Sequence, residues 1–153
     1  MTEANRSPVP ASAEAARGRP LPVPDKSSAA FWEAAGRHVL ALAKCSGCGK
    51  MTLPPDITCP NCLCTDPRFS FEPVDGRGRI RSWVVMRKSF LQGFDLPFVL
   101  VDVQLDDHPH VRIVGRLLDG PAAPLKLGAT VKVAFEDLAP DVSVPAFQLD
   151  QAS

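Results

Sequence analysis

The chain has no tyrosine, only three histidines and no surplus of charge, since 17 Lys and Arg offset 17 Asp and Glu over 153 residues. Zero net charge argues against a protein that coats nucleic acid, because neutralising a phosphate backbone needs a basic excess. No apolar run approaches the roughly 18 residues of a membrane-spanning helix, and the polar start lacks a signal-peptide core, so the expected compartment is the cytoplasm. Of the histidines, His108 and His110 flank Pro109 in a turn, and nothing near them in sequence completes a set of metal ligands. Ser27, Ser28, Ser46, Ser70, Ser82 and Ser89 show no nucleophile-elbow pattern. Gly76-x-Gly78 is too short for a phosphate-binding loop and leads into a strand. The sequence offers no catalytic apparatus of its own.

Proline is what the chain has in excess: 16 residues, about double the usual share, which works against long helices. Hydrophobic residues at 45% and charged residues at 22% are globular values that exclude wholesale disorder. Five prolines fall in the first 24 residues among Ala, Ser, Glu and Arg, so residues 1–18 read as a disordered tail. Residues 19–26 read as extended, with Leu21 and Val23 free to lie against something. Ser27 or Ser28 is a suitable N-cap for a short helix whose Phe31, Trp32, Ala35 and Val39 share one face. That face either packs on the chain's own core or docks a partner through its two large aromatics.

All five cysteines lie between positions 45 and 64, as Cys45-x-x-Cys48, Cys59-x-x-Cys62 and then Cys64. Two such pairs, each on a tight turn, aim four thiolates at one point, which is what a tetrahedral zinc site requires. A disulfide framework competes, but an odd cysteine count in a cytoplasmic chain argues against it. Redox chemistry calls for a thioredoxin-like context that is absent. Four cysteine ligands leave no open position for water, so one zinc held by Cys45, Cys48, Cys59 and Cys62 serves the fold. Leu63 stands where a glycine is expected, which predicts a strained turn, and Cys64 is either a competing ligand or a free thiol.

Beyond the cysteines the pattern turns to β. Residues 78–88, 97–105, 110–118, 129–137 and 143–149 are short runs rich in Val, Ile and Phe, separated by turn signals. Five strands with no helices between them exclude a parallel βαβ sheet and fit a small barrel, which closes off exposed edges. The charge balance hides an asymmetry. Residues 68–88 carry six cations against Glu72 and Asp75, and residues 95–150 carry nine acids against four cations, so one barrel edge is expected to be basic.

The ordered string of these features is familiar. A helix with Phe31-Trp32-Glu33 precedes the first cysteine pair, and Pro54-Pro55 precedes Cys59-Pro60-Asn61-Cys62. Val74-Asp75-Gly76-Arg77-Gly78-Arg79-Ile80-Arg81-Ser82-Trp83 follows, then Pro97-Phe98-Val99-Leu100, Asp106-Asp107, Leu127-Gly128 and Val133-Ala134-Phe135-Glu136-Asp137. Over about residues 20–149 the chain resembles the acyl-CoA-associated zinc-ribbon and OB-fold family. The resemblance implies a mainly β protein: an N-terminal helix, a rubredoxin-like zinc ribbon and a five-stranded OB-fold barrel. The chain then divides into the tail, 19–40 (extended segment and helix), 41–72 (ribbon) and 73–150 (barrel). It also implies a non-catalytic accessory subunit of a thiolase, aldolase or acyltransferase acting on acyl-CoA thioesters, in a hetero-oligomer with a thiolase-fold partner. The family's ligands fall on Cys45, Cys48, Cys59 and Cys62, and the departures are Leu63 and Cys64. In that setting Arg77, Arg79, Arg81, Arg87 and Lys88 are candidates for the phosphates of CoA. Phe31, Trp32, Phe90 and Phe94 are candidates for the partner face. The alternative is a single-strand nucleic-acid binder with Trp83, Phe90 and Phe94 interleaved among Arg81, Arg87 and Lys88.

Overall fold

A computed structural model describes residues 18–151. The expected disordered tail, residues 1–18, lies outside them except for Gly18. The chain runs through helix α1 (Ala29–Gly36) and strands β1 (Ala41–Lys44), β2 (Met51–Thr52), β3 (Ser70–Pro73) and β4 (Arg77–Met86). Then follow β5 (Phe98–Leu105), β6 (Arg112–Arg116), β7 (Thr130–Ala139) and β8 (Val142–Leu149). Among the described residues no helix is long and apolar enough to cross a membrane.

Strands β2, β1 and β3 form a small antiparallel sheet that carries the cysteine turns. The other five form an antiparallel sheet in the order β6-β5-β4-β7-β8. A parallel bridge from Leu117 to Phe147, with the Leu118 N–H donating to the Phe147 carbonyl at 2.8 Å, brings the two outer strands together and closes the barrel. This is the small barrel that the five apolar runs predicted, in the OB-fold form that the resemblance implied.

Period-2 alternation makes the barrel core. Val99, Val101, Val103 and Leu105 of β5 are buried, as are Gly78 and Ile80 of β4, while Arg77 and Arg79 between them face out. Gly78 is needed for close approach: a Cβ there would sit 2.4 Å from the Gln104 carbonyl oxygen of the neighbouring strand. The register of β4 on β5 slips between Ile80 and Ser82, leaving Arg81 as an extra residue in a bulge that bends the strand. Phe31, Leu40 and Leu42 join the barrel residues in one continuous core, so helix, ribbon and barrel pack as a unit. His110 adds a polar tie, its Nε2 lying 2.7 Å from the Met51 carbonyl of β2.

The helix starts at Ser28 as expected, but the serine hydroxyl does not cap it. Asp25 takes over the turn: its carboxylate accepts the Ser28 N–H at 2.8 Å and the hydroxyls of Ser28 at 2.7 Å and Ser27 at 2.8 Å. These bonds, Ser28's first, hold the Asp25 carboxyl down to about 2.

Candidate metal centre and partner face

Strand β1 runs directly into Cys45. The first turn closes as the Cys45 N–H donates to the Lys50 carbonyl at 3.0 Å and the Gly49 N–H donates to the Cys45 carbonyl at 2.9 Å. Gly49 takes φ +72°, a backbone position suited to glycine. The second turn repeats the pattern, with the Leu63 N–H donating to the Cys59 carbonyl at 2.8 Å. There the left-handed position falls on Leu63 at φ 62°, the strain that its side chain predicted. Ser46 ties the first turn to the segment that follows the second through its N–H and hydroxyl, both donated to the Pro67 carbonyl at 2.8 and 2.9 Å.

The sulfurs of Cys45, Cys48, Cys59 and Cys62 all lie within 4.8 Å of one another. Cys45–Cys62 and Cys48–Cys59 are each 3.8 Å apart. A tetrahedron of thiolates about 2.3 Å from a zinc ion has edges of roughly 3.8 Å, so the donor set and its spacing fit. One thiol of each turn is buried (Cys45, Cys59) and one exposed (Cys48, Cys62). The backbone N–H of Cys48, aided by that of Gly47, holds the Cys45 thiol down to about 6, while the Cys48 and Cys62 thiols are pushed up. The four cysteines are positioned to hold one metal ion, and a zinc with four sulfur ligands there would serve the fold.

The basic cluster divides. Arg77 lies 3.6 Å from carboxylate oxygens of Asp75 and Asp150, and Arg79 lies 3.5 Å from Asp106. Arg81 in the bulge, and Arg87 and Lys88 beyond the end of β4, are exposed with no ion pair among the described residues. Those three are the members of the cluster without an acid beside them among the described residues, while Asp75, Asp150 and Asp106 lie beside the first two.

The aromatics divide as well. Phe90 is fully exposed at the tip of the loop after β4, with Leu91, Leu96, Trp83 and Val84 also exposed. Phe94 is half-buried, stacked on Phe98 at 5.0 Å and covered by the Arg19 guanidinium 4.5 Å from its ring. Arg19 and Arg116 share Glu136, at 3.2 and 2.6 Å, and the three side chains are mostly buried. That clamp fastens the loop and the N-terminal segment to the outer face of the barrel. Sequence reasoning missed it, because its members lie 117 residues apart. On the helix, Phe31 is buried in the core, edge-on to Trp32 at 4.9 Å, and reaches the surface only as part of the wall of a groove. Trp32 is half-buried between two apolar grooves of about 330 and 270 Å³, one lined by Pro22 and Pro24 and the other by Pro54 and Pro55.

His38, Asp137 and Ser143 also meet, but both partners bind the carboxylate: His38 Nε2 lies 2.6 Å from Asp137 Oδ1, and the Ser143 hydroxyl donates to the same oxygen at 2.6 Å. These contacts, Ser143's first, lower the Asp137 pKa. The serine turns to the carboxylate and not to the imidazole, so the group clasps α1 to the β7–β8 hairpin.

Residues 32–67 match the family model described as the ChsH2 rubredoxin-like zinc ribbon domain, and residues 71–136 match that of the ChsH2 C-terminal OB-fold domain. The chain belongs to this zinc-ribbon and OB-fold family. A protein of Thermomonospora curvata named "Probable enoyl-CoA hydratase alpha subunit" is 26% identical over 132 residues, spanning 85% of this chain and 40% of that protein. This ChsH2-type chain therefore corresponds to less than half of that relative. A "DUF35 domain-containing scaffold protein" of Methanothermobacter thermautotrophicus is 28% identical over 100 residues, 65% of this chain and 73% of that one. The solved structure named "Ltp2-ChsH2(DUF35) aldolase" superposes with a TM-score of 0.73 at 24% identity, covering 84% of this chain and 98% of the other. A DUF35-family protein of unknown function from Sulfolobus solfataricus gives 0.55 at 14% identity, over 90% and 92%. These two likenesses show the shared fold.

Proposed function

We propose that this chain is a non-catalytic accessory subunit of a thiolase-type enzyme acting on acyl-CoA thioesters. The observation that carries the reading is the set of exposed apolar residues on the loop after β4, Phe90 fully exposed with Leu91 and Leu96, together with exposed Trp83 and Val84 on β4 itself. Exposed apolar surface of this kind marks an interaction site. The names of two relatives, one an aldolase with a ChsH2 component and one a scaffold protein, support a supporting role. Arg81, Arg87 and Lys88 are exposed and close in sequence to these residues, and they are the cations free to meet CoA phosphates at the junction with the partner. Arg77 and Arg79 belong to the same proposed group, each with an acid 3.5–3.6 Å away that a phosphate would have to displace. The acids beside these two weaken the nucleic-acid reading, which draws on a basic field.

The test is recovery of the tagged chain from its native host. Co-elution with a thiolase-fold protein, lost on Phe90→Asp while zinc content is unchanged, is the expected result. Elution as a lone monomer from that extract overturns the proposal.

A further inference from the structure

The fifth cysteine is the one member of the sulfur cluster that the zinc ribbon does not use. Its sulfur lies 3.6 Å from that of Cys45, against 3.8 Å for the ligand Cys62. Both distances equal about one edge of a zinc–thiolate tetrahedron. The Cys59 N–H donates to the Cys64 carbonyl at 3.1 Å, so Cys64 lies inside the second turn and not beyond it. The bare Cα of Gly47 marks the meeting point: a Cβ there would stand 3.5 Å from the Cys64 sulfur, 3.6 Å from that of Cys45 and 3.7 Å from that of Cys62. Cys62 is exposed and Cys64 only partly so, which makes the unused thiol the better shielded of the two.

We propose that Cys62 and Cys64 exchange at one coordination position, so that the centre is a five-thiol site with a reserve ligand. A cysteine sulfur changes place by a χ1 rotation between staggered wells, without moving the backbone. Cys62 is the ligand concerned because it and Cys64 flank Leu63 on one turn, whereas Cys45 and Cys48 belong to the other. Loss of the exposed Cys62, by alkylation or substitution, then leaves the metal bound.

The test compares zinc content and the thiolate-to-metal absorption of the cobalt-substituted full chain in Cys45→Ser, Cys62→Ser, Cys64→Ser and the double variant C62S/C64S. The expected result is one metal ion with an all-thiolate spectrum in both Cys62→Ser and Cys64→Ser, and loss in Cys45→Ser and the double variant. Loss of metal from Cys62→Ser as complete as from Cys45→Ser overturns the proposal. Should Cys62→Ser not fold, slow alkylation of the zinc-loaded wild-type chain decides: label shared between Cys62 and Cys64 supports exchange, and label on Cys64 alone overturns it.

Discussion

The ribbon and the barrel lie next to each other in one core yet rest on different physics. Between β1 and β3 the fully buried side chains are Leu42, Ala43 and two cysteines, Cys45 and Cys59. The barrel encloses Ile80, Val99, Val101, Val103, Leu105, Leu117, Val131 and Phe147, each at 2% exposure or less. Apolar burial at about 25 cal/mol per Å² therefore supports the barrel, while the ribbon has too little of it and draws on the metal. A short segment can hold a defined shape without a core of its own when its strongest contacts are four bonds to one ion.

The sharpest way to break this comparison is Cys45→Ser. Structural zinc contributes about 10–16 kcal/mol to such ribbons, so metal analysis is expected to show near-complete loss of zinc. Amide exchange is expected to rise through residues 41–73 while the β5 amides stay protected. Phe147→Ala strikes the other side: its ring is 0% exposed and touches the strand that closes the barrel. A loss of about 3–5 kcal/mol in denaturant unfolding is expected, with zinc still at one per folded chain. The smallest effect belongs to Leu63→Gly. Leu63 is 72% exposed at φ 62°, so glycine relieves the turn and gives up little packing. Zinc affinity is expected to rise by up to about fivefold in a chelator competition, equivalent to roughly 1 kcal/mol.

The same contrast governs what the sequence could tell. Cysteine spacing is local, so the metal centre was legible down to the left-handed Leu63. The strands were legible because alternation in runs such as Phe98–Leu105 records which side is buried. Pairings across long stretches of chain leave no such trace. Nothing in the order of residues says that Arg19 covers Phe94, that Asp106 neutralises Arg79, or that Asp25 rather than Ser28 caps the helix turn. Adjacent aromatics were also inseparable by pattern: Phe31 and Trp32 share a helical face, and only packing sends one into the core.

The barrel's closing contact has a consequence for the order of events during synthesis. Every strand of the ribbon has been synthesised once Pro73 is added, ahead of all five barrel strands, so the cysteine turns can take up metal early. The barrel must wait for Phe147 to reach Leu117, and until then β6 presents an open edge. Through that interval the ribbon is the one sheet whose strands are all present, and its Leu42 waits for the barrel residues that will cover it.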